Sequence, residues 1–337
     1  SVLLNSTVKG KYSYTKPVPP VVPKNIQYSY GWGEVGGLLS QKCDSLTHRY
    51  HFVPPDVTVD TTALKDVPFL NPLFGDLKTA DGSDWVLHPF QMELLTRFHH
   101  SLQKYTTVTV GTEAVDDLTL GQKFVYDSAS DKRAWLSVWP DGFGKTESIF
   151  LHACHFYLST SQRTIILTRS TQQAERLHKR FEQMLAGNTL RWSVPIAIAD
   201  VEFYANVQDQ YYPAILIASM EQVGLHLLTK ISSRSDVPLT QYLSTVGMIQ
   251  FEDLENYLGV IEQHVHFIFR RLLLQLYRSR HLPFGTSHWE PFVLGFSSDN
   301  MFNQRVWASS LVGIDFEMYY PKIDLQQSKT DVDLMLP

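Results

Sequence analysis

The chain has 337 residues, is 44% hydrophobic and 19% charged, and carries a formal net charge of −5 with a pI of about 6.2. At roughly 100–200 residues per domain, it can hold one large domain with an appendage, or two domains. The acidic balance argues against a dedicated duplex-binding module, which is usually basic, and leaves a local basic groove open.

No apolar run reaches the roughly 18 residues that mark a membrane-spanning helix. The opening SVLLNSTVKGKYSY lacks the charged start and apolar core of a signal peptide. The expectation is an intracellular protein, cytoplasmic or nuclear, with no membrane partner. Cys43 and Cys154 stand far apart without metal-ligand spacing and read as free thiols in a reducing compartment. The histidines are scattered, with His99-His100 and His264-x-His266 the closest sets. No Cys or acid completes a zinc pattern around them.

Residues 1–85 differ from the rest. They hold the run Lys16-Pro17-Val18-Pro19-Pro20-Val21-Val22-Pro23 and several glycines near Gly31–Gly37. Proline forbids regular helix there and favours extended segments. This region reads as an irregular, strand-containing N-terminal extension, either a packing arm or a proline-rich ligand for a partner. The expected main domain is 86–322, with 323–337 a tail or the start of a linker to a second domain.

From Asp84 onward the pattern alternates. Phe90, Leu94, Leu95, Phe98 and Leu102 recur at helical spacing over 90–104. Strands follow at Thr106–Val110 and 133–138, then a helix over 145–158. Next come a strand at Thr164–Thr168, a helix over 172–186, strands at Ser193–Ala199 and Ala214–Ala218, and a helix over 220–229. Val246–Phe251 is a strand, 260–280 a long helix and Phe292–Phe296 a strand. Short apolar strands without polar alternation belong to a parallel sheet covered on both faces, so the fold class is α/β with a mainly parallel sheet flanked by helices.

The strand at 133–138 runs into Val138-Trp139-Pro140-Asp141-Gly142-Phe143-Gly144-Lys145-Thr146-Glu147 and then a helix. That is the context of a P-loop. Glycines let main-chain N–H groups of the 142–147 loop wrap a phosphate, and the helix N-terminus adds partial positive charge. Lys145 supplies a point charge to the β- and γ-phosphates, and Thr146 a hydroxyl for Mg²⁺. The full pattern has a small residue six positions before the lysine, where Trp139 stands.

Taken together, these residues resemble the superfamily 2 helicases, and specifically their first RecA-like domain, from about His88 to Tyr320. The resemblance implies an ATP- and Mg²⁺-binding domain acting on DNA or RNA. Gln91, in Leu87-His88-Pro89-Phe90-Gln91, matches the glutamine that reads adenine. Thr168 and Arg169 after one strand, and Ser219 after another, match nucleic-acid backbone contacts, although Thr and Ser at strand ends are also ordinary helix caps. Where the family has Asp-Glu after an apolar strand, this chain has Glu252-Asp253. Glu252 matches the metal-holding acid and Asp253 the water-activating one. The exchange alters each carboxylate's reach by about 1.5 Å, and misplacement on that scale costs about 100-fold in rate. Glu255 stands at the motif's fourth position. Ser297, Ser298 and Asp299 match the coupling motif in part. Only residues 301–337 follow, too few for the family's second RecA-like domain with its arginine finger. The expectations are a fragment (which Ser1 in place of Met favours), a partner chain supplying that domain, or action without hydrolysis. A catalytically degenerate scaffold is the second functional reading. A P-loop small-molecule kinase ranks third.

Overall fold

In a computed structural model of the chain, the described residues are 61–79, 82–103, 105–108, 123–126, 133–139, 142–229, 237–257, 262–282, 289–298 and 304–319. The proline run 16–23, the glycines at 31–37, Cys43, Pro140, Asp141, Asp299 and the tail 323–337 lie outside them.

A seven-stranded sheet forms the centre. Its strands in chain order are β5 (Ala134–Val138), β6 (Arg163–Thr168), β7 (Ile196–Ile198), β8 (Ile215–Ser219), β9 (Val246–Phe251), β10 (Phe292–Ser297) and β11 (Glu317–Tyr319). In space they run β11-β5-β10-β9-β6-β8-β7, and every pairing is parallel. All the residues of β5, β8, β9 and β10 are buried, as the unbroken apolar runs require.

Helices cover both faces. One core joins α1 (Pro89–Gln103), α2 (Lys145–Thr160) and α3 (Thr171–Leu185) to one side of the sheet. The other joins α4 (Val201–Gln208), α5 (Val237–Ser244), α6 (Glu262–Ser279) and α7 (Gln304–Val312) to the opposite side. Side chains of β6 alternate between them, Ile166 into the first and Ile165 and Leu167 into the second. Residues 61–79 also pack into the first core through Leu64, Val67, Phe74 and Leu77. Their short strand β1 (Thr62–Ala63) pairs antiparallel with β2 (Val86–Leu87), across the boundary expected at 85.

Several elements differ from the sequence expectation. The strand expected at 106–110 is β3 (Tyr105–Val108), and it stands outside the main sheet in an antiparallel pair with β4 (Lys123–Tyr126). This hairpin occupies part of the long spacer between Gln91 and the glycine loop. Strand β7 is three residues instead of seven: Ser193 ends a helical turn, Val194 N–H bonds back to Leu190 O at 2.9 Å, and Pro195 has no N–H to give a ladder. The helix expected over 220–229 begins as α-helix and widens to a π turn at Val223–Leu227, where a Cβ on Gly224 would lie 3.0 Å from Ile268 of α6. Among the described residues, no helix is long and apolar enough to cross a membrane.

Candidate functional site

Strands β5, β10 and β9 are neighbours with their C-terminal ends on one edge: Val138 is in register with Ser297, and Phe251 with Gly295, two residues before the end of β10. The segments leaving these three ends therefore meet. Ligands of open α/β sheets bind at such carboxyl edges, where successive connections diverge.

The first segment is the glycine loop. Gly142 and Gly144 adopt φ of +85° and +78°, a region costly for side chains with a Cβ. Gly144 is the N-cap of α2, so Lys145 and Thr146 open the helix and the N–H groups of its first turn face the same space. Trp139 does not obstruct the loop. Its N–H donates to Ser297 O at 2.8 Å, extending the β5–β10 ladder, and its side chain is fully buried. The indole packs edge-on against Phe90 and Phe296, with ring centroids 5.2 Å and 5.6 Å away. Phe143 is buried too and tilts against Phe90 at 5.7 Å, leaving its main chain to the loop. Glu147 lies in the first helical turn and is held by Arg180 of α3 at 2.5 Å.

The second segment carries the acids. Glu252 continues β9, its N–H donating to Leu167 O at 3.0 Å. Burial pushes its carboxyl up to about 7, with Asp253 adding to the shift, Lys145 opposing it and Glu255 adding further. Asp253 turns sharply at φ +48°, and its Oδ1 lies 3.6 Å from Lys145 Nζ. Glu255 Oε1 accepts from Ser297 Oγ at 2.6 Å, from Ser298 N–H at 2.5 Å and from Ser298 Oγ at 3.3 Å. Burial raises the Glu255 carboxyl, while the Ser297 hydroxyl and Ser298 amide hold it down. The acidic turn is thus bonded directly to the two serines that leave β10.

Between the segments lies a cleft of about 520 Å³. Its walls are Gly142 to Glu147, Glu252 and Asp253, with Trp85, Val86, His88, Gln91 and Ile149. Gln91 is only 6% exposed. The sequence reading missed Trp85, Val86 and Ile149 as cleft residues. Val86 lies on the strand that delivers the His88–Gln91 segment and Trp85 just before that strand, and that adjacency is the available signal. The donor set on the cleft wall near the loop is all oxygen, the Thr146 hydroxyl with the Glu252 and Asp253 carboxylates. This suits a hard divalent cation such as Mg²⁺.

The residues matched to nucleic-acid contacts sit elsewhere on this edge. Thr168 and Ser219 are fully buried and occupied locally. Thr168 Oγ1 donates to Ser170 O at 3.0 Å. Ser219 caps the next helix in a capping box with Gln222 and lies 3.4 Å from Thr171 Oγ1. Arg169 is exposed.

No protein-family model matches the chain, and no curated protein does. Solved structures do. The DUF1998 helicase MrfA bound to DNA is 13% identical, with a TM-score of 0.54 over 77% of this chain and 28% of that one. The same helicase bound to DNA and AMPPNP is 14% identical, with a TM-score of 0.53 over 77% of this chain and 30% of that one. The DEAD-box helicase Mss116 bound to ssRNA and UDP-BeF is 14% identical, with a TM-score of 0.46 over 58% of this chain and 38% of that one. The chain spans less than a third of the MrfA chains it matches. The likeness is one of fold: the chain is a RecA-like α/β domain with a parallel sheet flanked by helices.

Proposed function

We propose that this chain binds ATP with Mg²⁺ as one RecA-like half of a helicase or translocase acting on DNA or RNA, completed by a second RecA-like domain. The observation that carries the reading is the cleft itself. A left-handed glycine loop at the head of α2 faces an acidic turn, with the Lys145 ammonium between them, 3.6 Å from Asp253. A polyphosphate is the ligand that such N–H groups, helix dipole and ammonium recognise together. The structural neighbours are helicases, one crystallised with DNA and AMPPNP, which supports the same reading.

In this proposal the N–H groups of 142–147 and Lys145 hold the β- and γ-phosphates. Thr146 and Glu252 hold Mg²⁺, which supplies positive charge against the phosphates when bound. Asp253 orients the attacking water and accepts its proton. Glu255, through Ser297 and Ser298, reports the state of the acidic turn to β10. The second reading is a domain that binds nucleotide and serves as a scaffold. It is favoured by the exchanged acids and by the raised carboxyl of Glu252.

Calorimetric titration of the chain with Mg²⁺ and ATP tests the proposal. We expect saturable one-to-one binding that Lys145→Ala weakens by about 100-fold, the scale of a lost charge-assisted contact. Absence of binding, or binding indifferent to Lys145→Ala, overturns it. Phosphate release measured on the same samples separates an ATPase from a scaffold.

A further inference from the structure

The contacts of Gln91 run to the phosphate loop. Its Oε1 accepts from His88 N–H at 3.0 Å, which fixes the amide with its oxygen back toward the start of α1 and its nitrogen forward. Nε2 then donates a long bond to the Gly144 carbonyl, at 3.5 Å. The approach is so close that a Cβ on Gly144 would come within 2.5 Å of Nε2. Next to it, Phe90 grips both Trp139 and the loop's own Phe143. The first turn of α1 and the glycine loop are therefore one packed unit. Gly144 is its pivot, because its φ of +78° sets the direction in which α2 presents its first N–H groups.

We propose that Gln91 is a positioning residue for the phosphate loop, and that the cleft takes nucleoside triphosphates without selecting the base. This rests on the nucleotide-binding reading above. To read adenine, an amide must accept from the exocyclic amine and donate to a ring nitrogen at once. Here each end already holds a main-chain partner, so a base would meet only the second lone pair and the second N–H of a side chain that is 6% exposed. The other groups on that side of the cleft, Trp85 and His88, offer ring faces and are themselves stacked on Phe150 and Phe90. Ring faces accept any base, because every base has a π-face.

The test uses the full chain with Mg²⁺, titrated with ATP, GTP, CTP, UTP and inorganic tripolyphosphate, which has no base. We expect the four nucleotides to bind within about threefold of one another, less than one hydrogen bond's worth of discrimination. Gln91→Ala and Gln91→Glu weaken ATP and tripolyphosphate by the same factor, about three- to tenfold, the worth of that one bond. Gln91→Glu keeps an acceptor for His88 N–H and sets a carboxylate oxygen against the Gly144 carbonyl. If Gln91→Ala fails to fold, Gln91→Glu decides. An ATP preference that vanishes in either variant while tripolyphosphate binding stays unchanged overturns the proposal and makes Gln91 a base reader. If no triphosphate and no tripolyphosphate bind the unaltered chain, the nucleotide-binding reading itself falls, and this inference with it.

Discussion

At the scale of single residues, the exchanged acids have a local cause. Position 253 adopts φ +48°, where a short side chain such as Asp is tolerated better than a longer one, whereas Glu252 still extends β9. The shorter acid stands where the backbone bends. That bend could not be read from the order of the letters, which showed only that two carboxylates follow an apolar strand. Asp253→Asn isolates the carboxylate's role, since Asn suits the same backbone region. ATP affinity is expected to hold within about threefold. Any ATP hydrolysis should fall by about 100-fold or more, the range of general-base contributions. Steady-state phosphate release at saturating ATP measures it, and an unchanged rate removes Asp253 from the chemistry.

At the scale of elements, α2 explains both what was legible and what was not. Strand, glycine turn and helix in succession made the loop visible, because each needs a distinct residue pattern. What lay beyond the pattern was α2's burial on several sides: Ser148 to Phe156 are all buried, between the sheet and helices α1 and α3. Trp139 escaped for the same reason, since only the packing of Phe90 and Phe296 shows that its bulk turns into the core. Two histidines are caught in this burial. His152 Nδ1 donates to Ser148 O (2.7 Å), and His155 Nε2 lies 3.2 Å from the Nδ1 of His99, whose ring stacks on Phe69. Burial pulls His152 down to about 4 and His155 down to about 3. The fold excludes a proton that the unfolded chain takes up near 6.5. The stability from each histidine is thus complete above that pH and is lost as pH falls from there towards 4 and 3. Between pH 7 and pH 5 each costs about 2 kcal/mol. Glu252, whose carboxyl is raised, works in the opposite sense over the same window. The total is therefore not diagnostic, and the difference between variants is. In urea unfolding, His155→Phe should lose about 2 kcal/mol less than the unaltered chain between those two pH values. Equal losses in both chains would contradict a neutral, buried His155.

At the scale of the whole molecule, the sheet's carboxyl edge divides its labour unevenly. The cleft end is elaborate, with loop, acids and serines bonded across β5, β10 and β9. Towards β6 and β8, Thr168 and Ser219 are buried in local hydrogen bonds, and of the three matched residues only Arg169 is exposed. A net charge of −5 adds no general attraction for phosphates. Among the described residues matched to such contacts, Arg169 alone is placed to meet a phosphate, and in the proposed function the second RecA-like domain supplies the rest of the track. The consequence is a salt dependence that can be counted. Each neutralised phosphate on a single strand contributes about −0.7 to the slope of log affinity against log salt. For this chain with a fluorescent single-stranded oligonucleotide, we expect a dissociation constant of about 10 μM or weaker at 0.15 M salt and a slope no steeper than about −2. Arg169→Ala should make the slope shallower by about 0.7. A slope unchanged by Arg169→Ala takes that residue out of the contact. Nanomolar affinity with a slope several times steeper would mean that this domain carries a nucleic-acid face of its own, and that the second domain is needed for chemistry alone.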